Sequence, residues 1–307
     1  YPAAVFCQPK GTTTPLALFI EKQTDIGPGS DNGQKARLLL ERMITPTSTD
    51  IAHAIQHVPV DIVELHIVPY LGHPVAELDP SGMNILMKLF ERQQKHHHMV
   101  DDMIHRILDA VPISASTIPT SLEQRPLQGL FPLHIACIVP RNFGIIQKLI
   151  EAYPGALTIQ STINGWTPLH VLFASGAESS LVSYLIQAGP EALSMIDELG
   201  GTPLHRALTC RSCKIDGACI RLISRLCPQA LSIPDRDGCL PLHLACICSL
   251  RLRDYYLSVG VFAALIDGYR AAVVIIPRIS NGISARQMIE ASAHPEKDEI
   301  LRIFDSA

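Results

Sequence analysis

The chain has one tryptophan, a 5% share of aromatic residues and only 18% charged residues among its 307. With 47% of the residues hydrophobic, so few charges exclude a wholly disordered protein. The formal net charge of −4 argues against a general nucleic-acid binder, because phosphate recognition needs a strong positive field. No apolar run approaches the roughly 20 residues of a membrane span. The most suggestive, Ala271 to Pro277, is far too short, so a soluble protein is expected. There is no Gly-rich phosphate loop, no nucleophile elbow, and no Ser/His/Asp set that a helix stack would bring together. An enzyme is therefore not expected, and no cofactor is implied.

Cysteine is present in odd number, at Cys7, Cys137, Cys210, Cys213, Cys219, Cys227, Cys239, Cys246 and Cys248. Several lie inside apolar runs, which suits buried thiols in a reducing compartment. The chain starts at Tyr1 rather than Met. The expectation is an intracellular protein, of the cytoplasm or of an organelle after loss of a targeting peptide.

What the chain does have is a repeat. Gly165-Trp166-Thr167-Pro168-Leu169-His170 recurs as Gly200-Gly201-Thr202-Pro203-Leu204-His205 and as Gly238-Cys239-Leu240-Pro241-Leu242-His243. An earlier copy is Gly129-Leu130-Phe131-Pro132-Leu133-His134. The histidines are 36, 35 and 38 residues apart, a period typical of stacked helical repeats. After each copy comes an apolar helical stretch with a common ending: Ile145 to Leu157, Leu181 to Leu193, Ile220 to Leu231 and Phe262 to Val273. The first three close on Pro-x-Ala-Leu, where Pro stops the helix and Ala-Leu packs back on it. Each unit reads as a turn at Gly, a short helix, a loop, a second helix and a return. Thr is suited to cap the first helix, and Pro at its first position has no N–H to leave unpaired.

These residues resemble the ankyrin repeat, whose Gly-x-Thr-Pro-Leu-His-x-Ala motif is matched at Gly165 to His170 and at Gly200 to Ala207. Phe131 or Leu240 replaces Thr in the other two copies. The longer repeat and the Pro-x-Ala-Leu turn are similar to expanded ankyrin families of diatoms and related algae. The resemblance implies an all-α solenoid of about six to seven helix-turn-helix units over residues 46–307, strongest over 129–273. Degenerate units are expected at 46–128, including Gly82 to Phe90 and a helix pair near Ser48 to Val58 and Asp61 to Leu71, and at 274–307 around Gly282 to Ile289. Residues 1–45, rich in Gly, Thr, Ser, Asp and Pro, read as a largely irregular arm with one helical stretch, Ala36 to Met43.

The repeat signature supplies the first candidate chemistry. His134, His170, His205 and His243 fall one per unit, on the order of 10 Å apart, too far to share a metal whose ligands lie within about 2 Å. The resemblance implies a structural role for them, hydrogen bonding between units. Cys210, Cys213 and Cys219 lie in one inter-helix loop, and Cys248 occupies the repeat position of Cys210. They read as small buried residues, or alternatively as a zinc site or a disulfide in a metal- or redox-responsive module. His96-His97-His98 with Asp101, Asp102 and His105 reads as a solvated loop entering a helix, with transition-metal binding as the alternative.

In ankyrin stacks contacts come from turn tips and the inner face of first helices, which implies a non-catalytic scaffold, adaptor or accessory subunit of a hetero-complex. By position the contact residues are Lys88, Leu130, Asn164, Trp166, Glu198, Arg206, Asp235 and Arg236. The inner row of Ile135, Val171, Arg206 and Leu244 is unusually apolar, which points to a covering partner or to the arm. Residues 201–253 hold eight basic side chains against three acidic ones, a local +5 beside −9 elsewhere. That excess suits a partner with an acidic patch.

Overall fold

The structure is a computed structural model. It describes residues 130–138, 143–162, 164–211, 215–251, 256–280 and 282–307, together with Lys35, Leu89 and Ile104. The arm, the units expected at 46–128, Lys88, the His96–His105 cluster and Cys213 lie outside the described residues. The chain divides into two compact units, 1–154 and 155–307.

In the first unit, α1 (Pro132–Ile138) pairs with α2 (Phe143–Ala152). Proline opens α1 at the position where a missing N–H costs nothing. Ile145, Ile146, Leu149 and Ile150 recur at helical spacing and bury one stripe of α2.

The second unit contains four helix pairs. These are α3 (Pro168–Ser175) with α4 (Ser179–Ala188), α5 (Pro203–Thr209) with α6 (Gly217–Leu226), α7 (Pro241–Arg251) with α8 (Val259–Gly268), and α9 (Ala285–Ala291) with α10 (Lys297–Ser306). The first helices pack in the order α3, α5, α7, α9, and the second helices in the order α4, α6, α8, α10. Two parallel layers of helix result, with no strand among the described residues. Each pair buries its apolar face only against its neighbours, so the core runs the length of the stack.

The apolar stretches expected to end in a turn do so through a separate short helix. The α-helix stops at Ala188, Leu226 and Gly268, and a separate 3-10 turn follows at Pro190–Ser194, Pro228–Leu231 and Arg270–Val273. The linking residues Gly189, Cys227 and Tyr269 leave helical geometry near φ −150° while still donating to the carbonyls of Leu185, Ile223 and Leu265. Proline at 190 and 228 has no N–H to continue the ladder, which forces the break. The Ala-Leu of each turn is buried: Ala192, Leu193, Ala230 and Leu231. Each such leucine contributes about 2 kcal/mol by removal from water.

Glycines set the closest approaches between second helices. A Cβ on Gly217 in α6 would sit 2.4 Å from the carbonyl oxygen of Gly260 in α8, so only hydrogen fits there. A Cβ on Gly268 would sit 2.8 Å from Leu231, so a side chain at 268 would collide with the preceding return. Helix α7 runs longer than α3 or α5 because Ile247-Cys248-Ser249-Leu250 offers no breaker, whereas α3 ends at Gly176 with φ +75°.

Candidate partner-binding surface

The first helix of each repeat is closed by its histidine. The N–H of Thr167 donates to His170 Nδ1 at 3.1 Å, and the Thr167 hydroxyl lies 2.9 Å from the same nitrogen. Thr202 and His205 repeat this at 3.1 and 2.8 Å. The motif is a capping box with imidazole where Glu or Gln usually stands. Leu240 and Phe131 keep the backbone half of it, donating to His243 at 3.0 Å and to His134 at 3.3 Å. Because Nδ1 accepts, the proton sits on Nε2, which donates into the next repeat. The acceptors are Gly201 O for His170 at 3.1 Å, Cys239 O for His205 at 3.0 Å, and Ile275 O for His243 at 2.9 Å.

These rings are buried, and desolvation pushes the His170 imidazole down to about 4. It also lowers His205 and His243. With both nitrogens engaged, none of the three has a lone pair for a metal or a proton to spare for catalysis.

The last unit confirms this logic by omission. Gln287 occupies the histidine position in α9 and accepts from the Ser284 N–H at 2.8 Å, while Gln287 N donates to Ser284 Oγ. It caps its own helix and, among the described residues, bonds onward to no other repeat. His294, outside the Pro-Leu-His series, also bonds at both ends. It accepts from Glu296 N at 3.1 Å and donates to Leu257 O at 2.9 Å.

Turn tips are built by a short acceptor at one repeat position. Asp197 accepts from the N–H groups of Leu199 at 2.8 Å and Gly201 at 2.9 Å, and Asp235 from those of Asp237 and Cys239 at 3.0 and 2.8 Å. Ser161 takes this place one repeat earlier, accepting from Trp166 N at 3.1 Å. Each tip turns at a glycine with positive φ, Gly165, Gly200 or Gly238. Successive tips are then joined by backbone: Glu198 N donates to Asn164 O at 3.0 Å, and Arg236 N to Leu199 O at 3.1 Å. A Cβ on Gly200 would meet Arg236 N at 2.9 Å, so this glycine is required by contact as well as by conformation.

Asp197 has a second task. Its side chain is fully buried and takes a forked ion pair from Arg206 Nε, at 2.8 Å, and Nη2. Burial alone would raise this carboxyl, but Arg206 and the two N–H bonds hold it below the usual range. The same guanidinium lies 5.3 Å from the centre of the Trp166 ring. Trp166, Arg206 and Asp197 thus form one cluster on the inner side, where a cation–π contact adds about 0.5–1 kcal/mol.

Residues 133–218 match the family model for ankyrin repeats, in three copies. The chain carries ankyrin repeats. The crystal structure of the ankyrin repeat domain of Bcl-3, described as a unique member of the IkappaB protein family, is similar with a TM-score of 0.53. Sequence identity is 16%, and the match covers 82% of this chain and 97% of that one. No curated protein matches the sequence.

Within the ankyrin stack the residues expected at an interface separate into three groups. Asn164, Glu198 and Arg236 are exposed at the tips, and Trp166 is half-buried beside them. Arg206 and Asp235 are partly exposed, yet their charged groups are committed to Asp197 and to the turn at 235–239. Leu130 is buried, as are Ile135 and Val171 of the inner row, which leaves them little open surface. Sequence patterning passed over Ile196 and Leu199, tip residues that are 50% and 59% exposed. Their only signal is a leucine or isoleucine where a turn normally places a polar residue. Of the basic excess, Arg211, Arg221, Arg225 and Arg236 are exposed.

The cysteine positions give no assembled centre among the described residues. Cys210 is partly exposed and its thiol donates to Ala174 O at 3.3 Å. Cys219 and Cys248 are buried, and neither is in a disulfide. No group of three metal-ligating side chains occurs among the described residues. Also among the described residues, no helix is long and apolar enough to cross a membrane.

Proposed function

We propose that the chain is a non-catalytic protein-interaction module, serving as a scaffold or accessory subunit of a hetero-complex, the use to which ankyrin repeats are generally put. The observation that carries this reading is the turn-tip surface. Ile196 and Leu199 expose half or more of their area beside Glu198 and Arg236. The backbone bonds joining successive tips hold these side chains in a fixed array, so little entropy is lost when a partner docks. Trp166 and the rim of Arg206 extend the surface inward, and aromatic and arginine side chains are the usual anchors of an interface. The basic side chains of 201–253 favour a partner with an acidic face, chiefly through faster encounter.

The test is co-isolation of the tagged full chain from its native source, comparing the wild type with Leu199→Asp and Arg236→Glu. The expected result is a stoichiometric protein partner retained by the wild type and depleted at least tenfold by either substitution. Equal recovery of partners by all three would overturn the assignment to the tips. A wild-type chain isolated free of any partner would overturn the function itself.

A further inference from the structure

A second surface lies on the opposite layer of the stack, between α6 and α8. Ala218, Ala264 and Gly268 floor a groove of about 410 Å³, too open to enclose a free small molecule but wide enough for the side chains of one helical turn. Arg221 and Arg225 line it, one turn apart on α6. Neither makes an ion pair or a hydrogen bond among the described residues. Like charges at this spacing repel and weaken a helix by a few tenths of a kcal/mol. Among the described residues no carboxylate pairs with either to offset that cost. Asp267 on the facing wall is turned to Arg270, at 3.9 Å.

The small floor has a structural origin. Gly217 and Gly260 bring α6 and α8 into backbone contact at their first turns. Alanine and glycine line the facing surfaces farther along, so the gap between the two helices stays shallow and apolar. An apolar floor with two unpaired guanidinium groups along one wall calls for a ligand that is itself amphipathic. It must offer two anionic groups about 6 Å apart and a small apolar face between them.

We propose that this groove docks an acidic amphipathic helix of a partner protein, with carboxylates at i and i+4 paired to Arg221 and Arg225. The guanidinium fork takes each carboxylate by two parallel N–H bonds, and small side chains of the partner helix rest on Ala218, Ala264 and Gly268. The proposal rests on the reading of the chain as a protein-interaction module, and it names a site separate from the turn tips.

The experiment uses the full chain and a fluorescein-labelled, alanine-rich helical peptide with glutamates at i and i+4, followed by fluorescence anisotropy at about 0.1 M salt. A second peptide carries lysines at the same places. The wild type is expected to bind the glutamate peptide at least tenfold more tightly than the lysine peptide. Arg221→Glu/Arg225→Glu is expected to reverse the preference, which a variant that had merely unfolded would not do.

Absence of any preference in the wild type would overturn the groove while leaving a partner co-isolated through the tips intact. Glutamate-peptide binding that survives the double substitution but is lost in Arg236→Glu would move the site to the tips and overturn the groove. Competition by inorganic phosphate at equal charge concentration would reduce the surface to a simple anion site and would likewise overturn it.

Discussion

Acidification from pH 7 to pH 5 is expected to weaken the repeat stack, with His170 as the best-defined contributor. Its folded-state value of about 4 lies below the unfolded value near 6.5, so the unfolded chain binds the proton first. Stability from this ring is present above pH 6.5 and is lost as the pH falls through the window from 6.5 to 4. Integrated from pH 7 to pH 5, the loss for this single group is about 2 kcal/mol. His205 and His243 shift in the same direction, through the same burial. Asp197 does not interfere, because its depressed carboxyl gives stability that is lost only below its ordinary value of 3.8.

Urea unfolding followed by Trp166 fluorescence, at pH 7 and pH 5, measures the effect. His170→Gln provides the control suggested by Gln287: it keeps the cap on Thr167 but loses the bond to Gly201 O. That variant is expected to be about 1–2 kcal/mol less stable at pH 7. Its acid loss is expected to be about 2 kcal/mol smaller, so variant and wild type converge at pH 5. An unchanged pH dependence in His170→Gln would refute the assignment of the proton to this ring.

Other consequences follow from the same contacts. Gly217→Ala is expected to cost about 2 kcal/mol or more, because its methyl would meet Gly260 O, whereas the methyl of Gly260→Ala would meet only Ser258 Oγ at 3.9 Å and is expected to be neutral or stabilising by up to ~1 kcal/mol. Thermal unfolding of the pair checks this asymmetry. Arg206→Ala leaves the buried Asp197 carboxylate without its cation, for an expected loss of about 3 kcal/mol and a changed Trp166 emission maximum. Equal stability of wild type and variant would show the pair to be dispensable. In timed thiol labelling at neutral pH, Cys210 is expected to react well before Cys137 and Cys246, whose thiols are pushed up by complete burial. Early labelling of Cys137 or Cys246 would contradict the packed interior.

The repeated Pro-Leu-His and its period made the helix pairs and the ankyrin architecture legible, because proline placement and apolar spacing act locally. The split of each second helix into α-helix and 3-10 turn was half legible. Pro190 and Pro228 mark the break, but Arg270 makes the same turn with no proline to announce it. The Thr–His capping box was only partly foreseen. Thr was read as a cap, and the resemblance gave histidine its role between repeats, but the reciprocal bond to Thr N–H appears only in three dimensions.

Asp197 went unnoticed because its function depends on turn geometry. Asp235 repeats it one unit later, but Ser161 fills the same place one unit earlier with a different side chain, so the position follows no single residue type. The contact of Arg206 with Trp166 joins neighbouring repeats, which neither helical nor strand periodicity reports. The exposed tip residues Ile196 and Leu199 carry no pattern at all, since an isolated aliphatic in a turn has no partner in sequence.

Cross-linking of the protein within its native complex tests the central claim most directly. Carboxyl-reactive reagents address Glu198 and Asp237, both exposed at successive tips. Mass spectrometry is expected to find both joined to a single partner protein in stoichiometric amount, with Leu199→Asp abolishing the links. Cross-links confined to the chain itself, from a protein that isolates as a free monomer, would contradict the account.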